Sequence, residues 1–184
     1  MRSNSHRCWI LTLAGTWLAA SISHGDQNDP RLDSLFESLR DRGGHVLAVE
    51  REIWEIWSLS GDPQIDRHME LGTLAIRDGL YGEALHHFDA VTENKPGFAE
   101  GWNKRATVYW LVGAHEQSRV DVDRTLSLEP RHFGALSGLA LIHHAQQRPG
   151  EALRALERCE AVHPHMPGLK GRIEELRRIA GTPI

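Results

Sequence analysis

Residues 84–96 read ALHHFDAVTENKP, residues 118–130 read SRVDVDRTLSLEP and residues 152–164 read ALRALERCEAVHP. Each stretch opens on a small residue (Ala84, Ser118, Ala152) and closes on a proline (Pro96, Pro130, Pro164), at a constant offset of 34 residues. A fixed period decides the architecture before any local reading does, because it means that one supersecondary unit is stacked on itself. Two more columns keep the period: Leu71, Arg105 and Leu139, then Gly72, Ala106 and Ala140, small where two helices must approach closely. Within 82–94, Ala84, Leu85, Phe88 and Val91 recur at three- and four-residue steps and form one apolar helical stripe. Gly79-Leu80-Tyr81-Gly82, Val112-Gly113-Ala114 and Gln147-Arg148-Pro149-Gly150 interrupt the pattern halfway through each unit, and each proline stops the second helix. The unit is therefore a pair of amphipathic helices. One pair cannot bury its stripe alone, so neighbours stack to make a continuous core.

These columns resemble the tetratricopeptide repeat, whose pattern is W-x2-L-G-x2-Y, then A-x3-F, then P. Residues 65–98 supply Leu71-Gly72, Gly79, Tyr81, Ala84, Phe88 and Pro96, with His68 where tryptophan is usual. Residues 99–132 supply Trp102, Tyr109, Gly113 and Pro130, with Arg105 in the leucine column, and residues 133–166 keep Leu139, Ala140, Ala152 and Pro164. The resemblance implies an all-α fold, a right-handed α-solenoid of stacked antiparallel helix pairs, and a non-catalytic protein–protein interaction module. A polypeptide segment would lie in the concave groove lined by the first helix of each pair. The register then assigns to the groove Asp66, Met69, Thr73, Ile76 and Arg77 from the first repeat, Glu100, Asn103, Thr107 and Trp110 from the second, and Ser137, Leu141 and His144 from the third. Trp110 and Asn103 lead this set, an amphipathic aromatic beside a polar amide; closure of the core at a helix end is the competing reading of Trp110. Where family members grip chaperone C-terminal carboxylates, this chain has Met69, Thr73, Lys104, Gly134 and Gly138, and only Lys104 suits that task.

The ends depart from the period. Residues 167–184 carry a charged capping helix whose Leu169, Ile173, Leu176 and Ile179 can cover the last repeat. In residues 26–64, Leu32, Leu35, Phe36 and Leu39 form one stripe, and Val46, Val49, Ile53, Ile56 and Trp57 form another after Gly43-Gly44. This hairpin is read as a divergent repeat in preference to an N-terminal cap. Trp54 and Trp57 stand three residues apart, which places one of them near the edge of any shared interface.

Residues 1–25 read as a signal peptide. Arg2 and Arg7 precede an uncharged run of 13 residues from Cys8 to Ala20, too short to span a bilayer, and small residues follow at Ser21, Ser23 and Gly25. An uncleaved N-terminal anchor is the alternative. Cleavage predicts a periplasmic or secreted protein with no remaining membrane span. It also moves the formal charge from −4 to −6 and leaves Cys159 as the only thiol, so no intramolecular disulfide can form. The 184 residues contain no lysine- or arginine-rich stripe, which excludes nucleic acid as a partner.

Catalytic motifs are absent: there is no G-x-S-x-G, H-E-x-x-H, Walker loop or C-x-x-C, so neither an enzyme nor a cofactor is expected. Twelve histidines are the compositional oddity. His86-His87 and His143-His144 are adjacent on helices and diverge by about 100°, a poor arrangement for chelation. His163 and His165, with His132 one repeat earlier, make the candidate cluster for an alternative function as a metal- or pH-responsive protein. A chaperone-like role in envelope or cytochrome assembly is a further alternative. Arg105 points inward and needs a carboxylate, with Asp121, Asp123 and Glu93 as candidates. Arg131 and His132 are expected to form a structural network in their turn, and Cys159 to be a buried inert thiol.

Overall fold

A computed structural model describes residues 25–41 and 45–181. All of the predicted signal peptide before Gly25, the Gly43-Gly44 pair and residues 182–184 lie outside the described residues. Among the described residues there are nine α-helices and no strand: α1 (Arg31–Arg40), α2 (Val46–Trp57), α3 (Pro63–Arg77), α4 (Tyr81–Asn94), α5 (Ala99–Leu111), α6 (His115–Leu128), α7 (Phe133–Ala145), α8 (Pro149–Val162) and α9 (Leu169–Ile179). The fold is an α-solenoid. Helices α3–α4, α5–α6 and α7–α8 pair within repeats, α4–α5 and α6–α7 pack between them, and α9 packs on α8. None of the described helices is long and apolar enough to cross a membrane.

The period is visible in the backbone itself. Helices α4, α6 and α8 end two residues before their prolines, and the following N–H groups of Lys95, Glu129 and His163 donate to Val91, Thr125 and Cys159. Within repeats, Gly79 (φ 75°) and Gly113 (φ 78°) supply the left-handed residue that closes the first helix, and Gln147 (φ 58°) holds the same place in the third repeat. The small-residue column is equally physical, since a Cβ at Gly72 would lie 2.6 Å from the Phe88 ring.

The N-terminal hairpin goes elsewhere than a stacked repeat would. It folds back along the edge of the solenoid formed by the turns between repeats. Gln27 Nε2 donates to Gly97 O (2.6 Å), the Ala99 N–H donates to Gln27 Oε1 (3.1 Å), and Lys95 Nζ donates to Ser60 O. At the second turn Arg131 pairs with Asp33 (2.7 Å) and lies over the Phe36 ring. At the third, His163 Nε2 donates to Glu50 (3.3 Å), His165 Nε2 donates to Arg40 O (3.3 Å), and α1 packs on α8. The hairpin thus shares one apolar cluster with α7, α8 and α9, whereas Ile65, Met69, Ala75, Ala84, Phe88, Val91, Phe98 and Val108 form a second. Both tryptophans enter the same contact: Trp57 stacks flat on His132 (4.2 Å, 9°) while Trp54 meets His132 and Phe133 edge-on. They fit because they meet a turn, which offers both a ring face and a ring edge, and not a flat helix surface.

Candidate functional site

Helices α5 and α7 flank a cleft of about 220 Å³ floored by Ser118 and Val122 of α6. Asn103, Thr107 and Trp110 line one wall, and Ser137, Gly138 and Leu141 line the other. The opening exists because the facing residues are small: a Cβ added at Gly138 would touch only Val122, at 3.9 Å. Thr107 and Leu141 are exposed and Trp110 is half-buried. The indole walls the cleft and also packs on the larger apolar cluster and against His115 (4.5 Å).

Other groove residues are distributed differently. Asp66, Met69 and Thr73 line a separate cleft of about 350 Å³ with Leu59, Leu74 and Lys104, although Met69 is itself buried and Asp66 accepts the Ser60 N–H (2.7 Å). His144 and Leu141 border a recess of about 80 Å³ against Arg172, Glu175 and Leu176 of α9. Half-buried Ile76 packs on the apolar cluster of the first repeat. Arg77 is exposed beside Asp78 and lines none of these clefts.

Glu100 is a correction: it does not face the groove but is 1% exposed beneath the hairpin. His132 Nδ1 accepts the Ala135 N–H (3.1 Å), capping α7, so Nε2 carries the proton given to Glu100 Oε2 (2.9 Å). Asn103 Nδ2 donates to the same carboxylate (2.8 Å) and Lys104 Nζ lies 3.4 Å from its other oxygen. Burial would raise the carboxyl pKa, but the His132 hydrogen bond, the neighbouring charges and the Asn103 amide outweigh it and hold the group below 4.5. This chain of contacts connects the hairpin to the cleft. Trp57 holds His132, His132 holds Glu100, and Glu100 orients the Asn103 amide so that its oxygen points away from the carboxylate. At the cleft's end, a Cβ on Gly134 would lie 2.7 Å from Trp54. Sequence reasoning missed the hairpin's part in the site because its contacts occur once each and leave no period.

The histidine cluster does not assemble. His132, His163 and His165 bind Glu100, Glu50 and Arg40 O separately, and among the described residues no three His, Cys, Asp or Glu side chains converge as metal ligands. Burial lowers the His163 pKa below 6.5, opposed by Glu50. Arg105 binds both oxygens of Asp121 (2.7 and 2.9 Å), but its second carboxylate is Asp89 (2.9 Å); Asp123 pairs with Arg119. Cys159 is fully buried and its thiol is pushed up to about 11 by desolvation.

A family model described as tetratricopeptide repeat matches residues 69–124. A TPR repeat-containing protein of Rhizobium etli is 37% identical over 136 residues, which is 73% of this chain and 67% of the relative. Among solved structures, the first TPR domain of Spaghetti (RPAP3) bound to the HSP90 peptide SRMEEVD superposes with a TM-score of 0.62 at 18% identity, covering 65% of this chain and 94% of that one. The Sgt2 TPR domain from Aspergillus fumigatus gives 0.61 at 20% identity (65% and 81%). MamA gives 0.60 at 14% identity (77% and 86%). These likenesses show the fold.

Proposed function

The chain belongs to the tetratricopeptide repeat family, and from that premise we propose that it is a non-catalytic adaptor, scaffold or assembly factor that binds a polypeptide segment between α5 and α7. The observation that carries this reading is the cleft itself. An indole, an exposed leucine, an oriented amide and the hydroxyls of Thr107 and Ser137 surround a floor of Ser118 and Val122. Such a lining suits a segment that inserts one apolar side chain and hydrogen-bonds through its backbone. An acidic tail like the HSP90 peptide bound by the RPAP3 domain is not the proposed ligand, because four of the five clamp positions are Met69, Thr73, Gly134 and Gly138. The composition of residues 1–25 supports action in the cell envelope, as a periplasmic or secreted protein.

A photoreactive amino acid at Thr107, inside the cleft, should capture a defined polypeptide in the native compartment, and one at exposed Gln117 on α6 should not. Gly138→Phe, which fills the cleft, should abolish the capture. Capture from Gln117 alone, or capture at Thr107 that survives Gly138→Phe, would overturn the assignment. Fractionation of the cells tests the location; a chain that stays in the cytoplasm contradicts it.

A further inference from the structure

The first repeat brings together two imidazoles that stand 19 residues apart in sequence. His68 on α3 occupies the position where the repeat pattern carries tryptophan, and its Nδ1 lies 3.1 Å from Nδ1 of His87 on α4. We propose that His68 and His87 form a binding site for a divalent transition-metal ion of the zinc, nickel or copper class. Bonds of about 2.0–2.1 Å to such an ion separate two ligand nitrogens by about 2.9 Å at a right angle and about 3.3 Å at a tetrahedral angle. The observed separation falls inside that window. Without metal, one ring donates Nδ1–H to the other's bare Nδ1, so the pair shares a single proton between two basic atoms. A small rotation of both rings about χ2, a soft torsion, turns the two Nδ1 atoms toward a common point, and the donor ring exchanges its Nδ1 proton through solvent for one on its own Nε2, so that both rings ligate as neutral imidazoles.

The surroundings of His87 favour its neutral form. Burial, with the charges of His68 and His86, holds the His87 pKa below 6.5, and Arg67 adds to this while Glu83 opposes it. Both rings are only half-buried, so an ion reaches them from solvent. Adjacent His86 has its ring 5.4 Å from His87, but it is exposed and projects about 100° away around the helix. No third His, Cys, Asp or Glu of the described residues completes the sphere, so the remaining positions belong to water or to a ligand from another molecule. Neither histidine lines the clefts described above, and the proposal is independent of polypeptide binding there.

The test uses the full-length chain without an affinity tag, stripped with chelator and titrated calorimetrically with zinc chloride, and separately with nickel chloride, at about pH 7.5. Binding of one ion per chain is expected, weakened roughly tenfold or more by His68→Ala or by His87→Ala and changed by less than about twofold by His86→Ala. In the unaltered protein, copper(II) should broaden amide NMR signals around residues 68 and 87 first, a readout that needs no variant to fold. Absence of heat with both metals overturns the proposal. So does binding that survives His68→Ala, equal weakening by His86→Ala, or broadening centred on other histidines.

Discussion

Replacing Arg105 with leucine, the residue its column carries at Leu71 and Leu139, should destabilise this chain although it restores the repeat pattern. The Arg105 guanidinium ties three helices together. It donates to both oxygens of Asp121 on α6 (2.7 and 2.9 Å), and to Asp89 (2.9 Å) and Thr92 Oγ1 (2.8 Å) on α4, while lying 4.8 Å from the Trp102 ring centroid. A leucine there gains about 2 kcal/mol of apolar burial. Against this, the Asp121 side chain is 3% exposed and is left buried without its partner, which costs about 3–5 kcal/mol. The net is a loss of about 1–3 kcal/mol from a total stability on the order of 5–15 kcal/mol. Adding Asp121→Leu removes the stranded carboxylate and refills its volume, so the double variant should return to within about 1 kcal/mol of the unaltered chain. Urea unfolding of the four proteins, followed by far-ultraviolet circular dichroism, measures the cycle. Two single losses that simply add, or an Arg105→Leu chain as stable as the original, would refute the reasoning.

Trp57→Ala removes an indole that is 1% exposed and should cost about 3–5 kcal/mol. Amide-exchange protection should fall in α1, α2 and the first turn of α7 while α3–α4, with its separate apolar cluster, keeps its own; uniform loss would contradict the docking of the hairpin. Gln147→Gly relieves a left-handed residue whose counterparts are Gly79 and Gly113, and after the greater flexibility of the unfolded chain is subtracted it should stabilise by about 0.5–1 kcal/mol. A lowered urea midpoint would show that the φ of 58° carries no strain. Acidification should destabilise the chain in two stages. The folded pKa values of His163 and Glu100 lie below their ordinary 6.5 and 4.5, so the unfolded chain binds more protons in each window. Stability is then complete above 6.5, falls as His163 is forced to protonate, and falls again below 4.5 through Glu100. Urea midpoints that rise between about pH 7 and about pH 5 would reverse the sign and sink this account.

Much of the fold was legible because a repeat writes the same physics three times. Pro96, Pro130 and Pro164 mark equivalent helix ends, and Gly79 and Gly113 supply equivalent left-handed turns. The grouping of Asn103, Thr107, Trp110, Ser137 and Leu141 around one cleft follows from the same register. Glu100 broke that register because its position lies under the hairpin, where His132 satisfies it. His132, His163 and His165 look like a ligand cluster while only their turns are known; each of them, like Arg131 beside His132, holds a different point of the hairpin.

By itself, then, the sequence determined the helix pairs, their order and the stacking that makes a solenoid, since these depend on apolar spacing and turn chemistry repeated every 34 residues. Only the tertiary structure decided where the N-terminal hairpin docks, how Trp57 reaches Asn103 through His132 and Glu100, and which two histidines meet. Those are single contacts between residues far apart in the chain, and a contact made once has no period by which it can be read.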